Sequence, residues 1–285
     1  MGTSALWARS PCNSCERIIV DVAINTFKRS LRDRRLQIGL WSTLCSNLVA
    51  EILAHSGFDW LLLDTEHSPN ELPGLVSQLQ AMGRGTAAPV VRAAWNDAVL
   101  IKRLLDIGAQ SILLPYVQTA DEAQRAVQAV RYPPRGVRGV SATSRASQFG
   151  RMKGYFAHAD EEICLLVQIE TAAALEQLES IAAVDGVDGV FIGPADLSAS
   201  LGQLGNAGHP QVQRALEDAG RRLRDLGKPA GILTGAEEDA RRYIEWGYTF
   251  VAVGVDAGLL AGAADRLARV FKSAARAVPA ASTVI

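Results

Sequence analysis

Four short apolar runs in this 285-residue chain each end in side chains that could take part in chemistry. WLLL (60–63) precedes Asp64-Thr65-Glu66-His67, PVV (89–91) precedes Arg92, ICLLV (163–167) precedes Gln168-Ile169-Glu170, and GVFI (189–192) precedes Gly193-Pro194-Ala195-Asp196. Such runs, bounded by helical patterns, are typical of buried parallel strands. Because (β/α)8 barrels keep their active sites at the carboxyl ends of the strands, this placement predicts an enzyme with one polar pocket.

Glu170 and Asp196 follow two neighbouring predicted strands, so both carboxylates could reach one point from adjacent walls. Two carboxylates that leave positions open for water and substrate suit a hard divalent cation such as Mg²⁺ or Mn²⁺. The alternative is that each acid caps the helix that follows it. Their matching positions on successive strands favour the metal site.

His67 and Arg92 follow other predicted strands and could supply a proton carrier and a fixed positive charge. A neutral imidazole suits proton transfer, and a carboxylate near it, such as Asp64, can fix its tautomer. The alternative for His67 is a loop histidine bonded to the backbone. A guanidinium at a pocket mouth can hold a carboxylate or stabilise an oxyanion, which is compatible with a salt bridge to Asp64 or Glu66.

The lysines argue against a Schiff-base mechanism, which needs a lysine inside the pocket. None of them stands at the carboxyl end of a predicted strand: Lys28, Lys102, Lys153, Lys228 and Lys272. Covalent imine catalysis is therefore not expected.

The elements that must position these residues alternate from residue 37 onward. The predicted strands are 37–41, 60–64, 89–92, 111–114, 163–169, 188–192, 229–232 and 249–253. The predicted helices are 46–56, 70–83, 97–107, 120–131, 171–184, 210–227, 236–246 and 257–273. This order predicts a (β/α)8 barrel. An open doubly wound sheet is the structural alternative, but no G-x-G-x-x-G follows the first strand.

Capping residues at the ends of the predicted helices support this assignment. A glycine stands after a helical stretch and before a strand at five places, where a left-handed helix C-cap belongs: Gly57, Gly108, Gly186, Gly227 and Gly247. Asp97 and Asp121 stand near predicted helix starts, where they favour the helix dipole. The long connection 132–162 could fold over a pocket or reach a neighbouring subunit.

Composition excludes several partners. Lys+Arg 29 against Asp+Glu 30 gives a formal net charge of −1, so no nucleic acid or anionic membrane is expected as a partner. No apolar run approaches the roughly 18 residues of a membrane span, and a cytoplasmic location is the default.

Cys45 and Cys164 are expected to be reduced. Cys12 and Cys15 form a C-x-x-C without the second pair that a zinc site needs, within an N-terminal extension (1–33) that could be disordered.

Several longer stretches carry a resemblance to a known family. They are QIGLW (37–41), GFDWLLLDTEHSPN (57–70), PVVRAAWND (89–97), RYPPRGVRGV (131–140), VQIET (167–171), DGVDGVFIGPADLSA (185–199) and FVAVGVD (250–256). Over residues 34–272 the chain resembles the HpcH/HpaI aldolases, metal-dependent pyruvate aldolases. The resemblance implies a (β/α)8 TIM barrel of the phosphoenolpyruvate/pyruvate-binding type, formed by residues 34–273 and followed by a tail (274–285).

The resemblance also implies roles for individual residues. Glu170 and Asp196 would ligate a divalent cation, Mg²⁺, Mn²⁺ or Co²⁺. His67 would transfer protons, oriented by Asp64, and Arg92 would bind the keto oxygen. The remaining site residues would be Gln168, which lines the site, Gly193, Pro194, Ala195 and Asp196, which receive the substrate carboxylate, Leu233 near the aldehyde, and Asp106, which reaches a neighbour's active site.

The expected reaction is the reversible cleavage of a 4-hydroxy-2-oxo acid to pyruvate and an aldehyde, with 4-hydroxy-2-oxoheptanedioate and succinic semialdehyde as first candidates. Thr65 and the pair Thr234-Gly235 depart from the family pattern and leave the aldehyde open. The alternatives are a 2-keto-3-deoxy-sugar-acid aldolase of rhamnonate or glucarate type, a lyase acting on a CoA thioester, and a barrel that only binds 2-oxo acids. A homo-oligomer is expected, a hexamer of dimers that exchange the helix 257–273.

Overall fold

A computed structural model describes residues 22–277 of the chain, with side chains as far as residue 272. Eight parallel strands close into a barrel in which each strand pairs with the next and the last pairs with the first. The strands are Gln37–Ser42 (β1), Trp60–Asp64 (β2), Ala88–Arg92 (β3), Ser111–Leu114 (β4), Cys164–Ile169 (β5), Gly189–Ile192 (β6), Ala230–Leu233 (β7) and Phe250–Val255 (β8). The barrel and all eight predicted strands are confirmed, with ends that differ by at most two residues.

Helices surround the barrel and connect its strands. They are Thr26–Arg32 (α1), Asn47–Ala54 (α2), Leu72–Ala81 (α3), Ala98–Asp106 (α4), Ala120–Val130 (α5), Tyr155–Glu162 (α6), Ala172–Glu176 (α7), Leu178–Ala182 (α8), Pro194–Ser200 (α9), Pro210–Asp225 (α10), Glu237–Glu245 (α11) and Asp256–Ala277 (α12). Short 3-10 turns lie at Met82–Arg84 and Arg145–Ser147. The helix predicted over 171–184 is two short helices, because the backbone leaves the helical conformation at Gln177. None of the described helices has both the length and the apolar composition of a membrane span.

The connection 132–162 cannot cover this chain's own pocket, as one sequence interpretation had it. Helix α5 runs back from the carboxyl end of β4, so the connection begins at the opposite end of the barrel and leads, through α6, to the start of β5. The second interpretation, contact with a neighbouring subunit, stays a prediction.

Helix α1 packs on the barrel although it lies in the segment expected to be an extension. Asn25 caps it by accepting a hydrogen bond from the Lys28 amide, and the Lys28 ammonium donates to the Ile163 carbonyl at 2.6 Å. Phe27 and Leu31, one helical turn apart, are each 1% exposed inside the barrel end. Residues 1–21, with Cys12 and Cys15, lie outside the described part of the chain, as does the tail from residue 278.

The barrel interior is a second apolar core, separate from the one between strands and helices. Its aromatic members Trp60 and Phe250 fit because two neighbouring strand positions are glycine. A Cβ atom at Gly39 would overlap the Trp60 ring, and one at Gly231 would overlap the Phe250 ring. This end of the barrel is filled and leaves no room for substrate.

Hydrogen bonds define the ends of several elements. Asp97 caps α4 through the amides of Val99 and Leu100, and the five predicted cap glycines all have positive φ, from 70° to 106°. The Asp256 carboxylate, at the start of α12, accepts hydrogen bonds from the Ser42 hydroxyl at 2.8 Å and from the amides of Thr43 and Leu44 at 2.8 and 3.1 Å. This carboxylate joins the first strand to the last. Cys45 and Cys164 are free thiols.

Candidate active site

A cavity of about 410 Å³ opens at the carboxyl ends of the strands. Eight of the predicted site residues line it: His67, Arg92, Gln168, Gly193, Pro194, Ala195, Asp196 and Leu233. Trp41 and Phe191, whose ring centroids lie 5.4 Å apart, form its floor above the apolar barrel interior. No lysine is among the described residues that line it, as the sequence predicted.

Arg92 is fixed by two carboxylates. The parallel register of β2 and β3 sets Asp64 beside Arg92. Nε and Nη2 of the guanidinium donate to the two Asp64 oxygens at 2.8 and 2.5 Å, and Nη1 lies 2.9 Å from Oε2 of Glu66. The guanidinium carbon also lies 5.0 Å from the centroid of the Trp41 ring. The predicted salt bridge of Arg92 is confirmed, and the side chain has one orientation.

Burial alone would raise the pKa of Asp64, but the hydrogen bonds and the charge of Arg92 hold that pKa below its ordinary value. The Glu66 amide and the Trp41 indole also donate to this carboxylate. The same contacts correct one expectation. Asp64 does not orient His67, because these donors occupy its oxygens.

His67 lies at the mouth of the cavity, with its side chain 67% exposed. Its Nε2 is 3.8 Å from Oε1 of Glu66, which makes Glu66 the carboxylate that faces it. Burial raises the pKa of Glu66, and the positive charge of Arg92 opposes that rise. Glu66 therefore links the guanidinium to the imidazole.

Glu170 is buried, with 2% of its surface exposed. Its oxygens accept hydrogen bonds from the Tyr116 amide at 2.8 Å and from the Gln168 amide group at 2.5 Å. Burial, reinforced by the negative charges of Glu66 and Asp196, raises the pKa of Glu170 to about 7. Tyr116 holds its amide there in a left-handed backbone conformation (φ 56°), which is uncommon for a residue other than glycine.

The capping alternative for the two acids is wrong. Thr171, rather than Glu170, caps α7 by accepting a hydrogen bond from the Ala174 amide. Gly193 stands at the N-cap of α9, and Asp196 is the third residue of that helix. Neither carboxylate is needed to begin a helix.

The donor set around Glu170 fits a divalent cation. The buried side-chain oxygen Oε1 of Gln168 lacks a hydrogen-bond donor among the described residues, and the carboxylates of Glu66 and Asp196 repel that of Glu170. A Cβ atom at Gly193 would come within 2.8 Å of Oε2 of Glu170, so glycine leaves space beside this oxygen. No cluster of three or more His, Cys, Asp or Glu ligands occurs in the described chain, so Glu170 and Asp196 would leave positions to water and substrate.

Three predicted site residues do not line this cavity. Asp64 and Glu170 lie behind its wall, hydrogen-bonded to the lining residues Arg92 and Gln168, whereas Asp106 lies elsewhere. It ends α4, and its carboxylate lies 3.4 Å from Nη2 of Arg138 in the 132–162 connection. Its predicted role involves a neighbouring subunit, so it stays a prediction.

Two residues on α11 that line the cavity were not predicted from the sequence. Asp239 and Tyr243 line the cavity on the side of Leu233. Their spacing of four residues, in the helix after β7, is the signal that could have placed them on one face. Glu66 was considered only as a partner of Arg92, although it also faces His67.

A closed (β/α)8 barrel with carboxylates and a fixed arginine at the carboxyl ends of its strands is typical of TIM-barrel enzymes. The chain belongs to the HpcH/HpaI aldolase/citrate lyase family, whose model matches residues 37–263. It is a carbon–carbon lyase.

Relatives with named activities support this assignment. A pyruvate aldolase of Rhizobium etli is 57% identical over 88% of this chain and 99% of its own length. A 4-hydroxy-2-oxo-heptane-1,7-dioate aldolase of Klebsiella pneumoniae is 56% identical over 87% of this chain and 94% of its own length. A 5-keto-4-deoxy-D-glucarate aldolase of Citrobacter koseri is 50% identical over 88% of this chain and 98% of its own length.

Proposed function

We propose that the protein is a metal-dependent pyruvate aldolase that reversibly cleaves a 4-hydroxy-2-oxo acid to pyruvate and an aldehyde. The observation that carries the proposal is the buried Glu170 carboxylate, which accepts hydrogen bonds from Tyr116 and Gln168 and lies in the same polar cluster as the Glu66–Arg92 ion pair. Burial raises its pKa, and the charges of Glu66 and Asp196 add to the rise. A strongly perturbed acid beside an oriented cation in a cleft is typical of an active site.

Glu170 and Asp196 would hold the cation, which we expect to be Mg²⁺, Mn²⁺ or Co²⁺ because all donors are oxygen atoms. When bound, the cation would act as a Lewis acid on the keto oxygen of the 2-oxo acid. Glu170 must lose its proton to serve as a ligand, which its pKa of about 7 permits near neutral pH.

Arg92 would stabilise the negative charge that develops on the keto oxygen when the C3–C4 bond breaks. Asp64 holds the guanidinium through two hydrogen bonds, so little reorganisation is needed during the reaction. Losing an oriented donor of this kind commonly raises the barrier by about 3 kcal/mol.

The substrate carboxylate would lie at the start of α9. The amides of Ala195 and Asp196 stand in the first turn of this helix, where they have no partner within the helix. Pro194 has no amide proton, so these two are the donors nearest the cavity.

His67 would take the proton of the C4 hydroxyl group and return a proton to the enolate carbon. Glu66 faces the imidazole and would favour its protonated form during this transfer. The exposure of His67 at the cavity mouth lets the proton exchange with solvent.

The proposal extends to the identity of the natural aldehyde, for which two candidates have support. Similarity to the Klebsiella relative supports 4-hydroxy-2-oxoheptanedioate and succinic semialdehyde. Similarity to the Citrobacter relative supports a 2-keto-3-deoxy-sugar-acid substrate with the same pyruvate chemistry.

We also propose a homo-oligomer, a cytoplasmic hexamer in which Asp106 lies near a neighbour's cavity. Light scattering should give about six times the mass of one chain, 30.4 kDa. A monomer at micromolar concentration would contradict this part alone.

The test of the main proposal is pyruvate release from a 4-hydroxy-2-oxo acid, measured before and after treatment with EDTA. Activity should fall to background and return with Mn²⁺ or Mg²⁺. Full activity in the chelator would end the metal mechanism. Exchange of the pyruvate methyl protons in D2O, measured with metal bound, tests the pyruvate half separately.

A further inference from the structure

The cavity extends beyond the residues assigned to the oxo acid. From Asp196 and Gln168 it reaches the turn after β7, at Leu233 and Thr234, and the face of α11. A 4-hydroxy-2-oxo acid that places its keto acid end at Arg92 would direct its aldehyde part toward this second half of the cavity.

The wall of this half of the cavity contains two hydroxyl groups and one carboxylate that can form hydrogen bonds. Tyr243 accepts a hydrogen bond from the Gln213 amide group at 3.0 Å, and Thr234 accepts one from the Ala236 amide at 3.1 Å. Because both hydroxyl oxygens act as acceptors there, each hydroxyl proton is left to donate. Asp239 adds a carboxylate, which can only accept.

The cation that balances Asp239 lies outside the cavity wall. Arg242 donates to Asp239 at 2.5 Å and to the Gln213 side-chain oxygen at 2.8 Å, and its guanidinium lies 5.4 Å from the Trp246 ring centroid. It is absent from the described residues that line the cavity. A ligand in the cavity therefore meets the carboxylate first.

The two other basic residues that line the described cavity are already assigned to the oxo acid: Arg92 to its keto oxygen and His67 to proton transfer. An aldehyde with a terminal carboxylate would lose part of its hydration near Asp239 without gaining a positive partner, which is unfavourable. Hydroxyl groups would instead find two donors and one acceptor.

We infer that the Asp239–Tyr243 face of α11 is the acceptor half of the site and selects uncharged, hydroxylated aldehydes over aldehydes that carry a carboxylate. This inference rests on the proposed pyruvate aldolase activity. It favours lactaldehyde-like or glyceraldehyde-like acceptors over succinic semialdehyde.

The test is the aldol reaction of pyruvate with three acceptors in the presence of Mn²⁺. Glyceraldehyde is hydroxylated and uncharged, butanal is uncharged without hydroxyls, and succinic semialdehyde has the chain of butanal with a terminal carboxylate. For the wild type, kcat/KM for glyceraldehyde should exceed that for succinic semialdehyde by about tenfold.

Two substitutions should move the preference in opposite directions. Asp239→Asn should raise the ratio of kcat/KM for succinic semialdehyde to that for butanal by about fivefold to tenfold, through KM. Arg242→Gln leaves the carboxylate without its counter-charge and should lower the same ratio. A ratio between two acceptors is insensitive to partial loss of folded protein.

The matched control is Glu237→Gln. It removes the same charge from the same helix, but its side chain is 80% exposed and pairs with Arg241 outside the cavity. The acceptor ratio should stay within about twofold of the wild type, as for an exposed and screened charge.

A wild type that prefers succinic semialdehyde, or equal ratio changes in Asp239→Asn and Glu237→Gln, would overturn the inference. Exchange of pyruvate methyl protons in D2O separates this failure from that of the proposed function. Exchange with the wrong acceptor preference overturns only the acceptor assignment. Absence of exchange overturns the pyruvate aldolase itself.

Discussion

At the amino-terminal end of the barrel, Phe27 from α1 packs 5.7 Å from Trp60 and 6.1 Å from Phe250, measured between ring centroids. At the carboxyl-terminal end the strands β2, β3 and β5 lead to Asp64, Arg92 and Glu170, all less than 10% exposed. One end buries rings that lose nothing by leaving water. The other buries charges that lose their hydration and recover it only from one another.

Because of this difference, the residues that stabilise the fold and the residues that would carry the chemistry lie at opposite ends of the barrel. A buried aromatic or aliphatic side chain contributes about 1.5–3 kcal/mol to folding. A buried carboxylate with a raised pKa, such as Glu170, opposes folding when it is charged. Substitutions at the two ends should therefore change different measured quantities.

Arg92→Ala should have the largest effect, because it removes the only guanidinium in contact with both Asp64 and Glu66 in the described chain. We expect kcat to fall by about 10²–10³-fold. Stability should also fall, by about 3–5 kcal/mol, since Asp64 is left as an unpaired buried charge. Steady-state kinetics and thermal unfolding measure the two losses, and Arg92→Lys is the matched control that retains the charge without the paired hydrogen bonds. Wild-type turnover in Arg92→Ala would remove the oxyanion role.

Phe27→Ala should destabilise the protein by about 3–5 kcal/mol, the usual cost of removing a buried phenylalanine. The kcat of the folded enzyme should stay near that of the wild type, because Phe27 is at the opposite end of the barrel from the cavity. Urea unfolding and an activity assay on folded protein give the two numbers. Arg32→Ala, on the same helix with its side chain 78% exposed, should change neither. An equal loss of kcat in Phe27→Ala would break the separation between the two ends.

Gly193→Ala should weaken metal binding by about tenfold, or about 1.4 kcal/mol. It should also lower stability by about 1–3 kcal/mol, because the added Cβ would lie 2.9 Å from Cβ of Glu170. The added Cβ would lie 2.8 Å from Oε2 of Glu170 and would push the carboxylate from its position. Calorimetric titration with Mn²⁺ measures the change in affinity. The control must be another Gly→Ala substitution at a residue whose φ is not positive, which rules out Gly202 with its φ of +74°. Gly235→Ala is the suitable control, since a Cβ there meets nothing within 4 Å. Unchanged Mn²⁺ affinity in Gly193→Ala would argue against Glu170 as a ligand.

The pH dependence of metal binding should sharpen the comparison further. The Glu170 carboxyl keeps its proton up to about pH 7 in the metal-free folded protein, against an ordinary value of 4.5. The metal-free protein should therefore lose stability as pH rises across this range, because the folded state binds the proton more tightly than the unfolded state does. Below pH 7 the affinity for Mn²⁺ should fall by about tenfold per pH unit, as the proton competes with the metal. Glu170→Gln should abolish this dependence together with tight binding, and a flat affinity from pH 5.5 to 8 in the wild type would contradict the assignment.

The polar cluster could be located from sequence because it lies where apolar runs stop. Each run is a strand, and parallel strands bring their carboxyl ends to one edge, so Arg92 and Glu170 can be placed at the same end of the barrel without any knowledge of the helices. The role of Asp64 was harder to predict, because both His67 and Arg92 were candidate partners. The strand register sets Arg92 beside Asp64, and register is not visible in the spacing of one loop.

Two other features were not predicted from the sequence, for different reasons. Helix α1 has only two apolar residues, Phe27 and Leu31, on its buried face, within a segment rich in arginine. This pattern is too short to predict packing on the barrel. Asp239 and Tyr243 lie on a helix whose first turn is acidic throughout. Their spacing places them on one face of the helix, but it does not say whether that face is toward the cavity or toward solvent.

The Asp256 carboxylate determines where the chain can be shortened or joined to another protein. Its hydrogen bonds to residues 42–44 close the seam between the first and last strands, whereas α12 beyond it exposes its side chains from Gly258 to Lys272 in the isolated chain. A truncation that removes residue 256 would remove these hydrogen bonds and leave the seam to the backbone pairing of β1 with β8. A fusion partner attached farther along α12 would leave the barrel shut.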